Sequence, residues 1–578
     1  MPLTPYTGVL GKKHAAHLLR RATFAVSKAA IDSIAGLTPT QAIDILFRAT
    51  PEPAPPVDPK TGVTWVDIPS TTANSGDPVL QGCVRKWALG VILGAGVSAS
   101  DKLAFATREK IAFFLHTHYT TIMEVVGNSR ASYYQNVLLR KYALDGGPEP
   151  YLNIKDLAKK ISRDNAMIIL LDGRLNVKGK PNENYARELF ELFTIGKGLP
   201  GQIPDSTGEG DYGYFTEQDV QSAAKILSGY GIDDTFTTLD PDTNIPTGKI
   251  KLNASQVANF HDNSNKQFSF RFDNKVISPD PSLLQAGQPT EASVLDELDQ
   301  LIEMIFEQEE TARHICRKIY RFYVYHDITP QVESSIITEM ATSLRANNYK
   351  IEPLIKELLT STHFYDAGTS SVIDDQRGAI IKSPLDLVAQ TLAFFEYELP
   401  DYTTNYTEFY NKTEKLLDMM EMQGMNFLNP FDVAGYDAYF QYPLFNRNWI
   451  SANSLTRRYE FIHNIMTTES PMGINIDLFE YIRNNFSGSA NDPDLLIREL
   501  ASYLLPMSDE NTEITTERLS YFKSRFFYIG TVIPQEPLLF WQFSWANADT
   551  IPDSKTDARG MLQDLINAML QSPEYQLF

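Results

Sequence analysis

The densest run of chemistry-capable side chains is Asn182-Glu183-Asn184-Tyr185-Ala186-Arg187-Glu188-Leu189-Phe190-Glu191-Leu192-Phe193. On a helix turning about 100° per residue, Asn184, Glu188 and Glu191 share one face with Arg187 at its edge, while Tyr185, Leu189, Leu192 and Phe193 share the opposite one. Two carboxylates one turn apart can hold a cation or move a proton, and Arg187 beside them can orient an anion. The same spacing also describes a solvated face on which Arg187 pairs with Glu191.

Two further groups carry metal-ligating types. His116-Thr117-His118 closes an apolar run bounded by Phe113, Phe114 and Tyr119. Residues two apart lie about 200° apart on a helix, so both imidazoles reach one metal only where the helix ends. His261-Asp262 sits in a polar loop, where it can supply ligands or a general base, or simply close a turn. Asp240, Asp242 and Asn244 begin like a calcium loop, but Ile245 and Lys251 stand where the turn glycine and the closing glutamate belong, so that site is rejected. No GxSxG, HExxH, phosphate-binding loop or GxGxxG occurs in its required context. Aromatic residues from Phe427 to Trp449, with Tyr436, Tyr439, Phe440, Tyr442 and Phe445, offer either a stacking platform for carbohydrate or peptide, or core packing.

These groups have to be held by helices. Amphipathic periodicity predicts helices over 14–24, 39–47, 80–97, 102–119, 133–144, 154–171 and 183–195, with Pro51 to Pro59 crossing the surface between them. Thr216 followed by Asp219 reads as a capped start to the next helix. From Gly231 to Thr290 helix formers thin out, and Gln267 to Phe272 alternates with period two, a strand signal. Helices return over 291–325, 331–347 and 351–359, and again from Pro384 onward. The expected fold is mainly α, a large multi-helical domain with a small β-containing insertion. The parts are 1–230, 231–290 and 291–578, the last packed with the first as one unit.

Composition narrows the partners. With 72 acidic against 51 basic residues, the net charge is −21, which opposes a sequence-independent grip on nucleic acid and docking on anionic lipid. The longest apolar run, Trp87 to Val97, is about half of what a bilayer crossing needs, and the first residues lack a signal-peptide pattern, so the chain reads as soluble with no membrane span. Cys83 and Cys316 lie far apart in sequence, two thiols or one long-range disulfide.

Taken in order, several stretches resemble a bacterial domain-of-unknown-function family, number 1800, of large helical proteins. They are His17 to Phe24, Phe114 to Tyr119, Asn165-Ala166-Met167 through Leu171-Asp172, Pro181 to Leu189 through Glu191 to Gly196, Tyr214 with Thr216, Glu217, Asp219 and Val220, Ser228-Gly229-Tyr230, His261-Asp262 with Lys266, Lys382-Ser383-Pro384, Asn429-Pro430 with Val433 to Tyr436, and Ser572 to Gln576. Leu115, Thr117, Tyr436 and Ala25 depart from the family's usual Trp, Asn, Trp and Gly. The resemblance implies, by association, a phosphatase- or sulfatase-like protein partner and an envelope or extracellular setting. Residues and resemblance together frame three expectations. One is a metal-assisted hydrolase, in which His116, His118, Glu188 and His261 hold a divalent metal. Glu188, His261, Asp262 and Arg187 then act in catalysis, and Asn184 and Glu191 position substrate. The second is a non-catalytic assembly partner in which the same residues tie helices together, Arg187 to Glu188 or Asp172 and the histidines to backbone carbonyls. The third is a carbohydrate- or peptide-binding protein.

Overall fold

The structure, a computed structural model, describes residues 3–67, 73–365, 380–467, 469–507, 509–528 and 534–578. Met1-Pro2 and the parts of the expected C-terminal helical block at 468, 508 and 529–533 lie outside them.

The chain is mainly α, and its helices begin where polar caps permit. Thr38, Thr290, Ser383 and Ser451 each form reciprocal capping boxes, satisfying backbone N–H groups that a helix start leaves free. Thr216 with Asp219 does the same for Glu217–Ile226, as its sequence predicts. Two long predicted helices are broken by single residues. Asp164 is extended and its carboxylate accepts from Met167 N at 2.9 Å, so 154–171 becomes Ile154–Arg163 and Asn165–Leu170. Gln308 likewise separates Glu291–Glu307 from Glu309–Tyr323.

Lys102–His118 runs through the middle of the molecule and is buried on all sides from Ala104 to His116. Its charged residues are therefore paired inside the protein. Glu109 accepts from Arg140 at 2.7 and 2.9 Å, and Lys110 meets Asp386. Ser129–Ala143 packs along this helix, and Asp77–Ile92 is covered in turn by Tyr406–Met422. Near the C-terminal end Pro552–Leu570 is ringed by Ala452–Met466, Leu478–Asn485, Thr516–Phe526 and Pro537–Asn547. Buried side chains from Leu10 to Tyr575 form one continuous hydrophobic cluster. Among the described residues no helix is long and apolar enough to cross a membrane.

The 231–290 stretch carries less sheet than its alternation suggests. Tyr230–Gly231 pairs antiparallel with Lys249–Ile250, and Lys266–Gln267 with Val276–Ile277. Phe270–Phe272, predicted as strand, is a 3-10 turn, because Ser269 caps it by accepting from Arg271 N at 3.1 Å. Cys83 and Cys316 are separate buried thiols.

Candidate functional site

The predicted helix over 183–195 is two pieces. Asn184–Glu188 is α-helical and Leu189–Phe193 is a π-helix, a rare geometry that widens the backbone and recurs at functional sites. The carbonyls left free at its end are taken by basic side chains from elsewhere. His118 Nε2 lies 3.0 Å from the Phe193 oxygen, and His314 Nε2 (3.2 Å) and Lys318 Nζ (2.9 Å) both reach the Leu192 oxygen. Burial holds both histidines well below the usual imidazole range and brings Lys318 down to about 7. His118, expected as a metal ligand, is thus a carbonyl partner closing the π-turn.

The outer face of this helix is built around Arg187. Its guanidinium donates to both oxygens of Glu217 at 2.8 and 3.0 Å and to the Tyr212 hydroxyl at 3.2 Å, and Tyr212 donates to Glu217 at 2.8 Å. Glu183, one turn back, lies 3.6 Å from Arg187. Glu217 is held below the ordinary carboxylate range by Arg187, whereas burial and the Glu217 carboxylate push Glu183 up. Neither Glu191, Glu188 nor Asp172 is the ion-pair partner of Arg187. Glu191 pairs instead with Lys197. Glu188 has no hydrogen bond or ion pair among the described residues, and burial, then Glu191 and then Asp432, push it up to about 7. Asn184 is exposed, with Nδ2 at 3.5 Å from the Leu171 carbonyl.

Asp432 acts on Glu188 from a loop far away in sequence. That loop is pinned to the end of the central helix. Met123 N donates to the Leu428 oxygen at 3.1 Å, Glu124 N to Asn429 Oδ1 at 2.9 Å, and the Tyr436 hydroxyl accepts from Leu428 N at 2.8 Å. Gly435 lets the loop come this close. Its φ is +99°, and a Cβ there would stand 2.9 Å from the Thr120 hydroxyl. Beside the loop is an open cavity of about 280 Å³ lined by Asn426, Phe431, Tyr436, Asp437, Asn448 and Trp449, among others. The Phe431 ring is fully exposed and Tyr442 is 64% exposed, whereas Phe427, Tyr436, Phe445 and Trp449 are buried. Most of the expected aromatic platform is therefore core, with Tyr436 tilted against Trp449 and Tyr439 edge to face with it. The Asp437 carboxylate and the Trp449 indole N–H have no hydrogen-bond partner among the described residues, and Asn426 uses its oxygen on Arg85 while its amide nitrogen is unengaged.

The remaining expected ligands face elsewhere. His116 is buried against Thr121, Gln135 and Leu428, its Nε2 unpartnered, and burial takes it down to about 4. His261 is enclosed, with Nδ1 2.9 Å from the Ser228 oxygen and Nε2 3.2 Å from Glu297, whose same oxygen also meets Lys266. Gly229 (φ +86°) fits against the His261 backbone, where a Cβ would lie 2.9 Å from its nitrogen. Asp262 closes a turn, accepting from Ser264 N at 2.9 Å and Oγ at 2.6 Å. His116, His118, Glu188 and His261 thus have four different sets of neighbours, and among the described residues no three His, Cys, Asp or Glu side chains could hold a metal together. Three of the four expected ligands, His116, His118 and His261, are packed in separate parts of the core.

Reasoning from helix spacing missed Glu217, Tyr212, Asp432 and Asp437. Glu217 stood in a family-like stretch, but nothing local tied it to Arg187. Asp432 and Asp437 carried no signal, because their role depends on which helix the loop meets. None of the curated proteins and none of the solved structures matches this chain. A family model described as protein of unknown function (DUF1800) matches residues 17–577, and with nearly the whole chain covered the protein belongs to that family.

Proposed function

We propose that this chain is a binding protein whose ligand, a carbohydrate, occupies the cavity beside the 429–436 loop. The carrying observation is that cavity, about 280 Å³ in volume, with the fully exposed ring of Phe431 at its edge. An exposed ring beside a concave, amide-lined surface suits the C–H face of a sugar ring, and a carboxylate, an amide and an indole N–H suit its hydroxyls. Glu188 lies within electrostatic reach of Asp432 in the same loop and adds a carboxyl to that side of the molecule.

The test is a tryptophan-fluorescence and calorimetric titration with defined oligosaccharides of glucose, mannose, galactose and N-acetylglucosamine. Binding by at least one series is expected. Phe431→Ala should weaken it about tenfold, roughly the 1.4 kcal/mol that an aromatic contact supplies. Trp449→Phe should remove the fluorescence response. Equal binding by the Phe431→Ala protein, or no binding by any series, overturns the reading.

A second reading is saccharide hydrolysis with Glu188 as general acid, favoured by its carboxyl, which burial and then Glu191 and Asp432 push up to about 7. Release of reducing ends by the native protein, lost in Glu188→Gln with binding retained, is the result that would establish it.

A further inference from the structure

Behind Trp449 lies a second, smaller cavity, and its walls are cationic. Trp449 and Ala438 line both cavities, so the two adjoin. The inner one is lined by Lys110, Arg321, His326, Asp386, Phe445 and Trp449, among others. Its volume, about 30 Å³, is room for roughly two water-sized atoms, which is what the two oxygens of a carboxylate need.

The charges around it do not balance. Lys110 is neutralised by Asp386, which also accepts from the Ser383 hydroxyl at 2.6 Å. Arg321 has no such partner among the described residues. Its Nε donates to the His326 carbonyl at 3.3 Å, its guanidinium lies 4.7 Å from the Phe445 ring centroid, and both terminal nitrogens are unengaged. Two acids act on it from beyond ion-pair range, Glu333 and Asp327, and Glu333 is already committed to Arg317 (2.6 Å) and Arg313 (3.1 Å). His326 is 6% exposed, and its Nδ1 is buried with no hydrogen-bond partner. Arg321 is half-buried with terminal N–H groups that meet no protein acceptor, and the enclosed His326 Nδ1 without an acceptor is costly unless something supplies one. Burial and then Arg317 bring Arg321 down to about 10, and burial, Arg447 and Arg321 lower His326, so cations gather on this side of the cavity.

We propose that this inner cavity is a carboxylate-binding subsite, with Arg321 and His326 as its donors, and that the ligand of the adjoining site is accordingly an acidic saccharide, a uronate. Arg321 offers the carboxylate its paired terminal N–H groups, the geometry in which guanidinium and carboxylate meet most tightly. His326 supplies a further donor through its Nδ1–H tautomer, while Trp449 forms the wall between carboxylate and sugar ring. The saccharide half of this inference rests on the carbohydrate reading above; the anion half does not.

The experiment titrates the full chain with a trimeric uronate, its carboxyl-reduced neutral counterpart, acetate and N-acetylalanine, following heat of binding and the His326 ring signals by nuclear magnetic resonance. The uronate should bind at least thirtyfold more tightly than its neutral counterpart. Arg321→Gln should abolish that preference and leave neutral binding unchanged, and Arg321→Lys should restore part of it. His326→Phe, compared at matched melting temperature, provides a second variant should Arg321→Gln fold poorly. Acetate should shift the His326 signals in the native protein and not in Arg321→Gln. Equal binding of uronate and neutral trimer, or a uronate preference that survives Arg321→Gln, overturns the subsite and leaves the carbohydrate reading standing. An acetate response at His326 without binding of either trimer keeps the anion subsite and overturns the saccharide. N-acetylalanine binding that depends on Arg321, with no uronate binding, overturns it in favour of a peptide C-terminus.

Discussion

Glu188 and His261 sit in stretches shared with the family, yet the protein treats them differently. His261 and Lys266 both meet one oxygen of Glu297, all three fully enclosed. Removing one member would leave a buried partner uncompensated, a loss of about 3–5 kcal/mol for a buried ion pair. The Glu188 carboxyl has no hydrogen-bond or ion-pair partner among the described residues and is pushed up to about 7 by burial first and by Glu191 and Asp432 next. A carboxyl raised in the folded state adds stability that is complete below its unfolded pKa. That stability is lost as pH rises through the folded value. Glu188→Gln should therefore melt about 1–2 °C above the native protein at pH 8, with no difference at pH 4, because it keeps the neutral form that folding prefers. Melting curves from pH 4 to 8 measure this. A constant offset across that range would show that Glu188 is ionised throughout.

At the scale of elements, the proposed site depends on a π-turn and a loop whose charges act on each other. Leu189–Phe193 widens the helix that carries Arg187 and Glu188, and His118, His314 and Lys318 hold its last carbonyls. The 429–436 loop packs against the end of the Lys102–His118 helix because Gly435 has φ +99° and no side chain against Thr120, and from there Asp432 acts on Glu188. Gly435→Ala places a Cβ in a backbone region that costs L-residues about 1–2 kcal/mol and against a hydroxyl 2.9 Å away. Its expected effect is to move the loop. Ligand binding should fall at least tenfold and the Asp432 influence on Glu188 should weaken, bringing the Glu188 pKa down, while helical content by circular dichroism stays native. Native binding by Gly435→Ala would detach the loop from the site.

For the whole molecule, the buried cluster running from Leu10 to Tyr575 ties the first helices to the last. Arg20 donates to the Tyr503 and Leu505 carbonyls at 2.7 and 3.1 Å, and Gln390 donates to the Arg20 carbonyl at 2.8 Å. Contacts of this sequence separation make separate melting of an N-terminal part unfavourable, because its core is completed by residues hundreds of positions away. One calorimetric transition is expected, with an N-terminal fragment ending near residue 230 failing to fold alone. Two resolved transitions would divide the chain.

Helix positions, caps and the mainly α class were legible in the sequence, since each depends on neighbours within a few residues. The 3.6-residue apolar period set the buried faces, and Thr216 with Asp219 showed its cap directly. Failures began where a longer-range contact outweighed local pattern. Gln267 to Phe272 alternates like a strand but is bent by Ser269, whose hydroxyl and backbone are both held by Asp219. Arg187 had four plausible carboxylates nearby in sequence or spacing, and its tightest partner is Glu217, thirty residues on. His116, His118 and His261 had the right chemistry for a metal, but helix packing turned them to separate surroundings. Side-chain type and local spacing are properties of the chain, which is why the family and the fold class could be read from the residues alone. Convergence is a property of packing: only the tertiary structure could bring Asp432 within electrostatic reach of Glu188, or leave Arg321 and His326 facing one cavity whose acid, Asp386, is taken by Lys110.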